Sequence, residues 1–323
     1  ELFAAYGADG LGERLFSRGP VSKGTVIADL CRAKQIAIID DILHDPRIQY
    51  SKEAWAEGFR MALDAPLIIS APHGGLLAPA SLPDRTCSAC ITGNDDNTQD
   101  LARRVVAQFL ALTGKRPHLV INLLRRAKFD ANREVVEATG GNATLTSTWT
   151  AYNGFIESAR ARITTAPGRG LLLDLHGHGH AIPRLELGYL ISATSLRLSD
   201  QALGATSAIA TSSIARLAVI AIDHPAPVAL LRGPTSLGSL FVKNGFPAVP
   251  SPTDPAPAAA DEYFDGGYTT SRHGSSSGGS VDAIQIEAYR TGARDTPENL
   301  DKYAAAIVSS ALEYLRVHYG WTP

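Results

Sequence analysis

The stretch Gly170–His180, read GLLLDLHGHGH, constrains the fold more than any other part of the chain. Its unbroken apolar run, Leu171 to Leu173, suits a strand buried on both faces. Side chains two apart on a strand share a face. Asp174 and His176 therefore project together where the run ends, and His178 joins them if the strand continues past the glycine. A carboxylate and imidazoles at the mouth of a buried strand are what a metal site or an acid–base site needs. A solvated polar strand end is the plain alternative, and the D-x-H-x-H-x-H spacing favours function over it.

Other segments end in the same way. Ala65–Ser70 (APLIIS) reads as a buried strand running into Ala71-Pro-His-Gly-Gly75. That turn places His73 at the carboxyl edge of a sheet, where open α/β folds build their sites, and its glycines let backbone approach closely. Pro117–Leu124 is a further strand; it delivers Arg125, Arg126, Lys128, Asp130, Asn132 and Arg133. Guanidinium groups there suit bidentate binding of a carboxylate. Val281–Ala288 (VDAIQIEA) alternates, with Gln285 and Glu287 on one face and Ile284 and Ile286 on the other. Glu287, near the strand end, is a candidate general base.

The helices are read from period and caps. Leu101, Val105, Phe109 and Leu112 recur at helical spacing after Asn94-Asp-Asp-Asn-Thr98. Asp or Asn before a helix normally caps it; of Asp95 and Asp96, one is then spare to ligate a cation. Thr296-Pro297 opens a last helix with Leu300, Ala304, Ile307, Ala311 and Leu315 on one face. Asn153–Ile163 and Asp200–Leu217 read as helices, Leu185–Ser192 as a strand, and Thr253–Ala260 as an exposed loop. Gly266–Ser280 reads as a flexible loop able to close over a site. Near the start, Val26–Leu30 and Gln35–Ile39 read as strands and Tyr50–Leu63 as a helix. Strands alternating with helices indicate an α/β fold with a largely parallel or mixed sheet. We expect a single domain over residues 1–323, with 1–60 as an extension packed on it.

Composition excludes some partners. A net charge of −2 offers no basic field for nucleic acid or anionic membrane. No apolar run approaches the roughly 20 residues of a membrane span. Cys31, Cys87 and Cys90 allow a Cys87–Cys90 disulfide or a pairing with Cys31, and they lack the second pair of a zinc ribbon. The start at Glu1, the sequon Asn142-Ala-Thr144 and a Lys-poor surface lean towards a secreted protein, with a cytoplasmic one as the alternative.

His73, an Asp at 95 or 96, and His176 offer two nitrogens and one oxygen, the donor set of a catalytic zinc site with an open fourth position. Taken in order, Pro72-His73-Gly74, Asp95 six residues before Leu101, Arg126-x-x-x-Asp130-x-Asn132-Arg133, Asp174-x-His176, Gly266-Gly-Tyr-Thr and Gln285-x-Glu287 resemble the N-formylglutamate amidohydrolase family. That family is similar to the zinc carboxypeptidases. The resemblance spans about residues 65–315. It implies a three-layer α/β fold with helices on both faces of a mixed, mostly parallel sheet. It implies one Zn2+ per chain, held by His73, Asp95 and His176, with Glu287 as general acid–base and Arg126 assisting it. It also implies that Asn132 and Arg133 grip a substrate carboxylate beside Arg126; Tyr268, and His178 as an imidazole beyond the family's pattern, are expected to line the substrate. The reaction so implied is hydrolysis of an amide bond in a small molecule or short peptide bearing a carboxylate. Two departures stand out. Leu76 occupies the place where the carboxypeptidase relatives carry a Glu ligand, and Gly177 follows the third ligand where Ser is usual. A carboxypeptidase or peptidoglycan-type amidase acting on longer chains shares these ligands, and a non-catalytic binder of metal or carboxylate is the remaining alternative.

Overall fold

The computed structural model describes residues 4–6, 64–87, 90–220 and 226–323. The strands expected at Val26–Leu30 and Gln35–Ile39, the helix expected at Tyr50–Leu63, and Cys31 lie outside the described residues. Among the described residues, seven strands form one sheet: β1 (Ala4–Tyr6), β2 (Asp64–Ala71), β3 (Arg116–Asn122), β4 (Gly170–Gly177), β5 (Leu185–Gly188), β6 (Ala248–Val249) and β7 (Val281–Ala288). Their order across the sheet is β1-β3-β2-β4-β7-β5-β6. The central four, β3, β2, β4 and β7, run parallel. β1 pairs antiparallel with β3, and β5 antiparallel with β7, while β6 runs parallel to β5. The sheet is thus mixed and mostly parallel, as expected.

Helices cover both faces, making the third layer. Alternation along the central strands decides which side chain meets which layer. Leu67 and Ile69 of β2, Leu171 and Leu173 of β4, and Ile284 and Ile286 of β7 pack in one core with α1 (Thr98–Thr113) and α4 (Pro297–Tyr314). Ile68, Leu172 and Ala283 point the other way, into a second core with Tyr152, Ile156, Ala159 and Ile163 of α2 (Ala143–Thr165). Leu171, Leu172 and Leu173 are all fully buried, and each such side chain is worth about 1.5–3 kcal/mol.

The winding positions the site. From β2 the chain crosses through α1 to β3 on one side, then through α2 to β4 on the other. The direction of winding therefore reverses between β2 and β4. In open α/β sheets a crevice opens at such a reversal, outside the carboxyl ends of the strands. His73 lies just past β2 and His176 lies at the end of β4.

Several local expectations are corrected. Asn97 precedes α1 in the left-handed region (φ 67°) and no side chain caps that helix; Thr98 instead bonds the Asp95 carbonyl through its hydroxyl. The helix expected at Asn153–Ile163 is longer, Ala143–Thr165, and Asn142 of the sequon is its cap, accepting from the Thr144 N–H at 2.9 Å. β5 ends at Gly188 rather than at residue 192. Asp200–Leu217 holds a short helix, Asp200–Gly204, then turns, before another begins at Ala215. The expected flexible loop contains a helix, α3 (Tyr268–His273). His273 is fully buried there, its ring nitrogens on Glu157 (2.6 Å) and Asn153 (2.9 Å) of α2. Cys87 pairs with Cys90.

Candidate metal centre

The strand faces bring the polar side chains together. On the α2 side of the sheet the apolar column of each central strand gives way to polar residues at its carboxyl end. Ser70 follows Ile68 on β2, Asp174 and His176 follow Leu172 on β4, and Gln285 and Glu287 follow Ala283 on β7. The parallel register sets Asp174 opposite Gln285 and His176 opposite Glu287. His73 and Asp95 enter from the β2–α1 loop, tied by the Asp95 N–H donating to the His73 carbonyl at 3.1 Å. Gly74 makes this possible, because a Cβ there would meet the backbone of Gln99.

Three side-chain atoms converge. Nδ1 of His73, Nδ1 of His176 and Oδ2 of Asp95 lie 3.1 Å from one another on every side. Donors about 2.0–2.1 Å from a tetrahedral zinc stand about 3.3 Å apart, so the triangle has the right size. Asp95 is buried, whereas Asp96 is exposed; the spare acid of the loop is Asp95.

The far sides of the imidazoles fix their tautomers. His73 Nε2 lies 2.6 Å from Asp130 Oδ1, and His176 Nε2 lies 2.8 Å from Asp174 Oδ2. An ionised carboxylate only accepts, so each Nε2 carries a hydrogen and it is Nδ1 of each ring that turns inward. Carboxylates behind ligand imidazoles orient the rings and raise their basicity. Both carboxylates are themselves held. Asp130 accepts from Arg126 Nε (2.9 Å), from Arg85 (3.4 Å) and from the Asn132 N–H (3.0 Å). Asp174 accepts from the Ser70 hydroxyl at 2.6 Å.

Electrostatics follow from this packing. Burial pushes Asp95 up, yet the His73 and His176 rings outweigh it and hold the carboxyl well below its usual range. Asp130 and Asp174 are likewise lowered, the neighbouring imidazoles overcoming burial. For His176, burial favours the neutral ring, but Asp174 and Glu287 prevail and raise it well above the ordinary imidazole range. Three inward-facing acceptors thus demand positive charge between them, as a proton or as a cation. Among the described residues, two groups bring three possible metal donors together: this one, and His178, His180 and Glu186.

Glu287 stands beside it, with Oε1 at 3.9 Å from His176 Nδ1 and accepting from Gln285 Nε2 at 2.9 Å. Burial pushes its carboxyl up to about 7; His176 opposes that rise and Asp95 adds to it.

The likeness to known proteins is distant. No family model matches the chain, and no curated protein matches it. Solved structures do. The N-formylglutamate amidohydrolase of Ralstonia eutropha is 12% identical, with a TM-score of 0.49 over 80% of this chain and 96% of that one. A gene product of Agrobacterium tumefaciens is 13% identical, with a TM-score of 0.42 over 77% of this chain and 90% of that one. A Shewanella denitrificans protein, provisionally described as a metallopeptidase, is 11% identical, with a TM-score of 0.37 over 80% of this chain and 75% of that one. At such identities no family is assigned, and the reading of function rests on the side chains.

The other expected site residues divide. Arg126 joins the centre, with Nη1 at 3.4 Å from Asp95 Oδ1 in addition to its bond to Asp130. Asn132 lies against α3, its Oδ1 accepting from the Thr269 N–H at 2.7 Å. Arg133 is half-buried and pairs with Glu137 at 3.0 Å. Tyr268 accepts from Arg272 at 2.9 Å and leans on Trp149, whose indole N–H donates to the Arg133 carbonyl. Trp149 therefore links Arg133 to Tyr268.

His178 does not turn into the centre, contrary to expectation. β4 ends at Gly177, so the alternation that would have aimed it inward stops. Its Nε2 donates to the Arg184 carbonyl (2.9 Å) and its Nδ1 accepts from the His180 N–H (3.1 Å). Both nitrogens are thus engaged by backbone. The same fact argues against a metal on the nearby His178, His180 and Glu186, since His178 keeps no lone pair.

Sequence reasoning missed the roles of Asp130, Ser70, Arg85 and Arg294. Asp130 carried a signal, because it sits in the Arg126-x-x-x-Asp130-x-Asn132-Arg133 pattern. Arg85 and Arg294 lie in irregular segments and carried none.

Proposed function

We propose that the chain is a metal-dependent hydrolase that cleaves an amide bond in a small substrate bearing a carboxylate, of the N-acyl amino acid type. The inward triangle of His73, Asp95 and His176, made only of acceptors and braced by Asp130 and Asp174, carries this reading. Two imidazoles and one carboxylate suit zinc, at one ion per chain. Bound there, the ion would polarise a substrate carbonyl and lower the pKa of a water in its open position.

The chain's own groups do the rest. Glu287 takes the proton that water gives up as its oxygen attacks the carbonyl carbon. It then returns that proton to the nitrogen as the carbon–nitrogen bond breaks. Burial makes this carboxyl a stronger base than a free glutamate, which suits uptake of the proton. Gln285 donates to Oε1 of Glu287, the oxygen 3.9 Å from His176 Nδ1, and so holds the carboxyl beside the centre. Arg126 sets a fixed positive charge beside the centre, where negative charge develops on the carbonyl oxygen. Arg133, Asn132 and Tyr268 are the groups proposed to receive the substrate's carboxylate. The Cys87–Cys90 bond supports an oxidising, extracytoplasmic location, and among the described residues no helix is long and apolar enough to cross a membrane.

The test is Glu287→Gln, with zinc content measured alongside turnover of N-formyl and N-acetyl amino acids and of short peptides. The expected result is one zinc per chain in both proteins and turnover reduced at least 100-fold. Undiminished hydrolysis in the zinc-loaded variant would remove Glu287 from the mechanism. Preference for peptides would move the reading to a carboxypeptidase.

A further inference from the structure

Arg294 is buried behind the centre and has no part in the chemistry above. Its guanidinium reaches three carbonyls. Nε donates to Ala288 O at 3.0 Å, Nη1 to Asp96 O at 2.6 Å and Nη2 to His178 O at 3.4 Å. Each carbonyl belongs to a segment that carries a site residue. Ala288 follows Glu287, Asp96 follows Asp95, and His178 stands two residues after His176. The Arg294 carbonyl in turn accepts from Asn97 Nδ2 at 2.7 Å, fastening the Asp95 loop a second time.

Gly177 gives independent support. A Cβ at that position would fall on the Arg294 guanidinium. The glycine therefore admits the arginine through the space that a side chain would fill, at the residue after His176. The Gly177 N–H also donates to Asp95 Oδ2 at 3.2 Å, on the very oxygen of the inward triangle. Five N–H donors in a rigid plane satisfy several carbonyls at once, which a lysine ammonium on a flexible stem does not reproduce.

We propose that Arg294 is a positioning residue: it ties the ends of β4 and β7 to the Asp95 loop, and so sets where Asp95 and Glu287 stand relative to His176, with Gly177 making room for it. This rests on the reading of the centre as a cation site.

The experiment measures zinc affinity of the full chain by competition with a chelator, together with the absorption spectrum of the cobalt(II) form. The variants are Arg294→Met, Arg294→Lys and Gly177→Ala. Partners behind metal ligands are worth roughly 10–100-fold in affinity. Arg294→Met should weaken zinc binding by about that factor and alter the cobalt bands, with far-ultraviolet circular dichroism unchanged. Arg294→Lys should recover only part of the loss. Gly177→Ala, which keeps the arginine but displaces it, should resemble Arg294→Met, and the double variant should bind no more weakly than either single one. A merely structural arginine would lower the melting temperature without moving the cobalt spectrum. Should Arg294→Met fail to fold, Gly177→Ala and Arg294→Lys decide the matter. Zinc binding within two-fold of wild type in the folded variants overturns the role of Arg294 alone. A wild-type chain that takes up no cation overturns the cation site, and this inference with it.

Discussion

Asp130 accepts the Nε2 hydrogen of His73 at 2.6 Å, and through that contact it turns Nδ1 of the same ring towards Asp95 and His176. Asp174 does the same for His176, but the two carboxylates differ in company. Asp130 also neutralises Arg126 and Arg85, whereas Asp174 meets the Ser70 hydroxyl. Asp130→Asn should therefore weaken zinc binding about 10–100-fold and also cost about 3–5 kcal/mol of stability, because Arg85 loses its carboxylate partner and Arg126 keeps only Asp95. Asp174→Asn should weaken zinc binding comparably with a smaller loss of stability. Chelator competition and urea unfolding on both variants check this. Equal destabilisation by the two would contradict the charge argument.

His273 fastens α3 to α2 through Glu157 and Asn153. His273→Ala leaves the buried Asn153 oxygen without that donor, at a cost of about 1–3 kcal/mol. Limited proteolysis should then cut between residues 274 and 280 faster than in wild type, while zinc affinity holds. Unchanged cleavage would mean that the segment is held by other contacts.

The loop reading of that segment failed for a physical reason that applies elsewhere. Strands buried on both faces write themselves as apolar runs, so β2 and β4 were legible; β7 was legible from its alternation, and with these strands came the positions of His73, His176 and Glu287. The N-terminal side of α1 was legible in its acids, though not which acid turns inward. Short helices write no period. Those beginning at Ala193, Asp200 and Leu237 start from Ser192, Ser199 and Ser236, each accepting an N–H three residues on. Such caps are visible in a sequence only once a helix is suspected. α3 is set by His273 reaching residues more than a hundred positions earlier, a contact that no local pattern records. Arg294 is hidden for the same reason, since its partners are carbonyls, which carry no residue identity.

Asp282 should dominate one arm of the pH dependence of stability. Burial pushes its carboxyl up to about 6, against hydrogen bonds from Ser275, the Leu217 N–H and Tyr319. An unfolded Asp titrates near 3.9, so between about pH 4 and 6 the folded chain holds a proton that the unfolded chain has lost. Stability from this group is full below about pH 4 and falls as pH rises, by on the order of 3 kcal/mol once pH exceeds about 6. His118 slopes the other way in the same window, because burial lowers its imidazole to about 4. Its contribution is present above about pH 6.5 and lost as pH falls towards about 4. The difference curve between wild type and Asp282→Asn isolates the carboxyl. The variant should gain relative stability from pH 4 to pH 7, measured by urea unfolding at each pH. A flat difference would show that Asp282 ionises as freely in the folded chain as in the unfolded one.

Helical spacing put Leu112 on the same face as Leu101, Val105 and Phe109, yet it is 68% exposed while the other three are fully buried. The period is right, but among the described residues no core lies beneath the last turn of α1. Phe109 is the last residue of the stripe with a partner, stacking on Trp321 with centroids 6.1 Å apart. Phe109→Ala should cost about 3–5 kcal/mol, a lost aromatic in a tight core. Leu112→Ser should change stability by no more than about 0.5 kcal/mol. Denaturant midpoints of the two variants test the claim directly, and a loss above 1 kcal/mol for Leu112→Ser would mean that its face is covered.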